Sequence, residues 1–242
     1  MDATPGSRAS ARRPWCRWTV IAVAIVTALG LLHAPLFRGV GRFLVAEEPL
    51  LAKADYIVIL PSLAGDRVAL ENAIQHVRHG EAGGLLFFQM PPTRSERCGA
   101  WPNYETATRE FLKGRGLAER SIVTLPGPSR NSWEAARALG KWLGQRPTLR
   151  LDVLCQRFRG RYERHVFDSV LLSDSFEQLH FAAVEDRIDE TNWWYDREGI
   201  QMVFQNYIQL AFIELNGETE TSGGAWTLEQ YEQSLPPARP AK

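Results

Sequence analysis

Four arginines, Arg157, Arg159, Arg161 and Arg164, fall within eight residues of one another. A guanidinium is always charged and presents a planar fork of donors, so such a group suits a phosphate or a carboxylate. The same spacing also fits a solvated helix face whose arginines pair with Glu163 and Asp168. A second candidate is the turn Pro61-Ser62-Leu-Ala-Gly-Asp66 followed by Arg67, where free backbone N–H groups and a cation could meet an anion. A third is Ser129-Arg-Asn-Ser-Trp-Glu134, in which Asn131 and Ser132 could donate to a ligand oxygen and Glu134 could act as a base or orient an arginine. The competing reading there is local: Asn131 or Ser129 caps a helix and Glu134 completes a capping box. Glu105 is the fourth candidate, with a favourable first-turn helix charge as its structural explanation.

These residues become neighbours only if the chain between them forms a parallel sheet. Tyr56 to Leu60 is a continuous apolar run rich in β-branched residues, the pattern of a strand buried on both faces. Further strands are expected at Leu85 to Gln89, Ser121 to Leu125, Leu149 to Cys155 and, shorter and nearer an edge, Gln178 to Val184. Between them, helical spacing recurs after Arg67, from Tyr104 to Lys113, from Asn131 to Leu143, and in the arginine-rich segment to about Phe167. Alternation of this kind predicts an α/β fold, a Rossmann-like three-layer sandwich with a mostly parallel sheet of about five strands. Ligands of such sheets bind beyond the strand C-termini, where the strand order reverses. Ser62, Arg67, Glu105, Asn131, Ser132, Glu134, Arg157, Arg159 and Arg161 all lie after a strand, which makes them the candidate ligand-binding set.

The chain has 242 residues, 45% hydrophobic and 23% charged, enough to bury one core. Lysine plus arginine equals aspartate plus glutamate at 28 each, so no basic excess argues for nucleic acid. Charge placement is more telling. No charged residue occurs from Trp18 to Phe37, while Arg8, Arg12, Arg13 and Arg17 precede this run and Arg38 and Arg42 follow. A membrane-crossing helix is therefore expected, with its N-terminus in the cytoplasm and the domain on the extracytoplasmic side. A cleaved signal peptide and a buried soluble helix are the alternatives.

The expected organisation is a basic tail over 1–17, an anchor over 18–37, a juxtamembrane connector over 38–53, the α/β domain over 54–215 and a flexible tail over 216–242. Met90 to Asn103 is long for a crossover, so a binding loop or a surface insertion is expected there. Ile200, Val203, Phe204, Tyr207, Ile208, Ala211 and Phe212 form a wide apolar helical stripe, read as core or as a face lying on a membrane.

The order of these pieces resembles the bacterial envelope family that includes the SanA, YdcF and ElyC proteins. Ser129-Arg-Asn-Ser-Trp-Glu-Ala-Ala136 is similar to that family's Ser-x-Asn-Thr-x-Glu-Asn-Ala signature. Arg67, Glu105, the segment Val153 to Phe167 and Asn192-Trp-Trp resemble further family positions. The resemblance implies a membrane-anchored Rossmann-like domain of the inner membrane, acting in envelope biogenesis on a lipid-linked or phosphorylated precursor. This chain departs from the family at Pro61-Ser62, where a Gly-Gly turn is usual, at Cys155-Gln156 in place of Thr-Ser, and at Arg159 in place of a histidine. Proline has no N–H to offer, and arginine cannot transfer a proton near neutral pH.

The five histidines show no zinc-ligand spacing, and neither a metal nor a cofactor is expected. Cys98 and Cys155 fall in loops of the same sheet edge, where either a disulfide or two separate thiols is possible. Two functions remain open: an anion-binding envelope domain, or a degenerate scaffold of an envelope complex whose pocket is no longer used. No protein partner is named by the sequence.

Overall fold

In the computed structural model, residues 15–51 and 53–216 are described; the expected tails fall mostly outside them, at 1–14 and 217–242. Five parallel strands pair in the order β3-β2-β1-β4-β5, with β1 at Tyr56–Ile59, β2 at Leu85–Phe88, β3 at Ile122–Leu125, β4 at Leu151–Cys155 and β5 at Leu179–Ala183. The Rossmann-like α/β expectation holds, and every strand falls within its expected run. β1 is central and β5 is an edge as expected, although at five residues it is not shorter than the other strands.

Reversal of strand order at β1 sends successive crossovers to opposite faces. α2 (Arg67–Arg78) and α4 (Tyr104–Gly114) cover one face, where Ala69, Ala73, Ile74 and Leu112 pack against Ile57, Ile59, Leu85 and Phe87. α5 (Ser132–Leu143) and α6 (Gly160–Val170) cover the other, with Ala135, Leu139, Val166 and Phe167 against Val58, Leu86, Val153 and Phe181. α3 (Arg94–Arg97) is a single turn inside the long loop after β2, and α7 (Ser173–Phe176) another before β5.

The strands read as apolar runs because both faces are covered. Asp152 is the exception, a buried carboxylate in β4 whose Oδ1 accepts from the backbone N–H of Leu51 at 3.2 Å.

α1 (Trp15–Leu44) carries the apolar N-terminal run and ends against the body. Among the described residues no helix is long and apolar enough to cross a membrane. The side chains of several residues of that run, among them Thr19, Ala24 and Leu29, lie outside the described set. The expected connector is not a free linker. Leu44 is fully buried with Phe158, Trp193, Val203 and Leu210, and Glu48 N donates to Phe181 O at 2.9 Å. Gly160 is required by this approach, since a Cβ there would lie 2.9 Å from Ala46 N.

α8 (Arg197–Asn216) closes the domain. Of the expected stripe only Val203 is buried and Tyr207 half-buried, while Ile200, Phe204, Ile208, Ala211 and Phe212 are exposed; Leu210 and Ile213, one position off that stripe, complete the buried face.

Candidate ligand site at the strand switch point

The C-terminal ends of β1 and β4 are adjacent, and their loops form two short 3-10 turns, Pro61–Leu63 and Arg157–Arg159. This is the point at which a doubly wound sheet opens a crevice. Ser62 and Arg159 meet here on Glu163, a residue of α6 that is 0% exposed. Arg159 Nε donates to Glu163 Oε1 at 2.5 Å, and Ser62 Oγ donates to the same oxygen at 3.4 Å. Gln156 Nε2 donates to Ser62 O at 3.3 Å, Arg159 Nη1 to Gln209 Oε1 at 2.9 Å, and the guanidinium lies 4.4 Å from the ring centre of Tyr162. Glu163 Oε2 has no hydrogen-bond partner among the described residues. Serine and arginine are therefore joined as expected, but by a carboxylate that already neutralises the cation.

The other arginines of this segment are engaged in the same way. Arg157 forms a bidentate pair with Glu190, Nε to Oε1 at 3.1 Å and Nη2 to Oε2 at 2.9 Å, with Glu47 3.7 Å away. Burial opposes the Arg157 charge, yet Glu190, Glu47 and Asp189 together lift its pKa above the ordinary value. Arg161 Nε donates to Phe43 O, and Arg164 pairs with Glu48. The expected solvated face is thus replaced by pairs that bind the β4–α6 segment to the connector, the β5 loop and α8. Asp168 is exposed and is not among these partners.

The remaining candidates do not join this cluster. Arg67 is exposed on the opposite face, 5.8 Å from the ring centre of Phe111 in α4. Asn131 caps α5, its Oδ1 accepting from Glu134 N at 2.9 Å, while Glu134 Oε2 accepts from Arg130 N at 2.6 Å. That is the capping role with one change, since the returning bond reaches Arg130 and not the cap residue. Ser132 is buried in the first turn of α5. Glu105 pairs with Arg109 at 3.4 Å, and Arg109 also donates to Thr124 Oγ1 at 2.6 Å. The expected gathering of Arg67, Asn131 and Arg159 around one ligand is absent, because α2 and α5 leave β1 and β3 on opposite faces.

A cavity of about 600 Å³ does open at the switch point, on the α2 side. It is lined by the start of α2, the turn after β4, the loop after β5 and α8, and includes Asp66, Asn72, Arg157, Glu185, Asp186, Arg187, Glu198 and Asn206. Of the candidate set only Arg157 reaches it. A second cavity of about 660 Å³ shares Asn72, Val184 and Glu185 with it and extends under the connector past Glu47, Glu48, His76 and Glu190. β4 and β5 carry no helix on this face, so the connector and α8 form the walls.

Sequence reasoning named Glu163 as an arginine partner but missed its burial, and it missed Arg187, Glu190 and Asn206 altogether. Glu163 sits four residues after Arg159, the spacing of a helical ion pair, but nothing local indicates that the pair is buried. The others follow the last strand, where no periodic pattern fixes their direction.

Cys155 is buried, its Sγ donating to Ala182 O at 3.5 Å, and burial pushes its thiol pKa well up. Cys98 is exposed, and both are free thiols. Of the two open readings, separate thiols are found. Among the described residues no group of three or more His, Cys, Asp or Glu side chains is placed to hold a metal ion. No family model, curated protein or solved structure matches the chain.

Proposed function

We propose that the chain is a single-pass protein of the bacterial inner membrane whose α/β body, on the extracytoplasmic side, binds a small polar ligand at the switch point during envelope biogenesis. The observation that carries the binding reading is the cavity of about 600 Å³ at the reversal between β1 and β4, the place where the physics of this sheet puts a ligand. Arg157 and Arg187 are its two guanidinium groups. A phosphorylated or lipid-linked precursor would have to compete there with Glu190 and Glu198.

Support for the membrane reading comes from the uncharged run from Trp18 to Phe37 and from exposed Trp18, Val20, Ile21, Val23, Leu32 and Leu36 on α1. The exposed apolar stripe of α8 lies beside the point where α1 joins the body: Phe43 stacks on Tyr207, with ring centres 5.8 Å apart. The envelope setting, and membership of the SanA, YdcF and ElyC family, rest on Ser129 to Ala136.

One observation favours the scaffold reading. Each arginine from 157 to 164 already holds two parts of the protein together, which is structure and not reception.

Thermal-shift screening of the full chain in detergent separates the two. The panel contains phosphorylated sugars, polyprenyl phosphates and amino sugars. A compound that protects the wild type but not Met202→Trp, which fills the cavity, supports binding; protection by none leaves the scaffold. Sodium carbonate extraction tests the anchor: the chain is expected in the pellet, and release to the supernatant contradicts it.

A further inference from the structure

The switch-point cavity has the wrong sign for a phosphate. Asp66, Glu185, Asp186 and Glu198 face two guanidinium groups, and both of those are engaged: Arg157 by Glu190, Arg187 by Asp196 at 2.9 Å and Glu198 at 2.6 Å. Glu185 and Asp186 have no ion pair or hydrogen bond among the described residues. The chain as a whole has a formal net charge of zero, so this acidity is local. It continues into the adjoining cavity, where Glu47, Glu48, Glu185 and Glu190 face Arg42 and His76.

A second feature points the same way and does not depend on charge. Asn206 lies on the cavity wall and is only 7% exposed. Its Nδ2 donates to Met202 O at 2.8 Å, which fixes the orientation of the amide. Its Oδ1 has no partner among the described residues. A buried acceptor in this state lacks a donor, which an N–H or a hydroxyl supplies and a phosphate group itself does not.

We infer that the cavity accepts a cationic, donor-rich small molecule, one bearing a protonated amine beside further hydroxyl or amine groups. The ammonium group meets Glu185 and Asp186, and a neighbouring N–H or O–H serves Asn206 Oδ1. An amino sugar and a linear polyamine both satisfy this chemistry. The inference rests on the reading that the switch-point cavity is the binding site.

The test is the thermal stability of the full chain in detergent at pH 7.5 and 0.15 M salt. Probes are glucosamine, spermidine, uncharged N-acetylglucosamine and glucose 6-phosphate. An amine at ten times its Kd is expected to raise the Tm by about 3–6 °C. Glucosamine alone giving the shift identifies an amino sugar as the source of the ammonium, and spermidine alone a polyamine. The shift should vanish in Asp186→Asn with Glu185→Gln, both exposed positions at which folding is expected to survive, and fall in Asn206→Leu. Asp168→Asn, an exposed acid on α6, should keep it.

Amine protection that persists in the Glu185 and Asp186 variant would be non-specific attraction and would overturn the inference. Protection by glucose 6-phosphate alone, lost in Met202→Trp, would overturn it while leaving the cavity as the binding site. Protection by no probe would remove both.

Discussion

The guanidinium of Arg161 lies 4.0 Å from the ring centre of Phe43 and donates Nε to that residue's carbonyl at 2.5 Å. Phe43 is in the last turn of α1 and Arg161 in the first turn of α6, so this contact fastens the N-terminal helix to the body. Arg164 does the same to Glu48 a few residues on. Arg161→Ala should cost about 1 kcal/mol through the lost cation–π contact and hydrogen bond. The double variant with Arg164→Ala should expose the segment from Val45 to Leu51 to proteolysis before the body unfolds. Limited digestion with fragment mass determination checks it.

Glu163 is fully enclosed and depends on Arg159 for neutralisation. Arg159→Ala therefore leaves an uncompensated buried carboxylate and should destabilise by about 3–5 kcal/mol. Arg159→Met with Glu163→Leu removes both charges and should recover most of that loss. Chemical denaturation of the three proteins measures the recovery, and equal losses in the single and double variants would show that the pair is not a unit.

Asn131 was a candidate ligand donor and Glu134 a candidate base, yet both are occupied at the start of α5. Asn131→Ala should lower stability by about 1 kcal/mol, the ordinary cost of a lost helix cap. Ligand affinity should not change. A loss of binding with unchanged stability, read by titration calorimetry beside denaturation, would restore Asn131 to the site.

Asp152 is held in β4 with its pKa raised, chiefly by burial, against the opposing hydrogen bond from Leu51 N and the charges of His180 and His76. A carboxyl whose folded pKa lies above its unfolded value stabilises the fold only while protonated, below the unfolded pKa, and that contribution is lost as pH rises through the folded pKa. Asp152→Asn keeps an acceptor for Leu51 and removes the charge. Its Tm should exceed that of the wild type at pH 8, and the advantage should disappear by pH 3. Thermal unfolding across that range measures the difference.

The sheet was legible because burial on both faces leaves short apolar runs bounded by turn residues. Tyr56 to Leu60 and Leu85 to Gln89 each contain the observed strand, with a surplus of one residue. The helices followed from their spacing, and Asn131 from its capping chemistry. The site was less legible because direction is a tertiary property. Arg67 and Arg159 both follow a strand C-terminus, but the first turns towards α4 and the second towards α8. The arginine group was visible, whereas its partners Glu47, Glu48 and Glu190 lie more than 25 residues away in the chain and share no pattern with it. Asn206 was hidden inside an apolar stripe, where its neighbours Val203 and Tyr207 carried the periodic signal.

The central claim is that a ligand enters between the loop after β5 and α8. Hydrogen–deuterium exchange of the full chain, with and without glucosamine, tests it most directly. The account predicts slowed exchange in residues 184–187 and 198–206, with 129–136 unchanged. Slowing centred on 129–136 and 62–67, or none at any position, would contradict it.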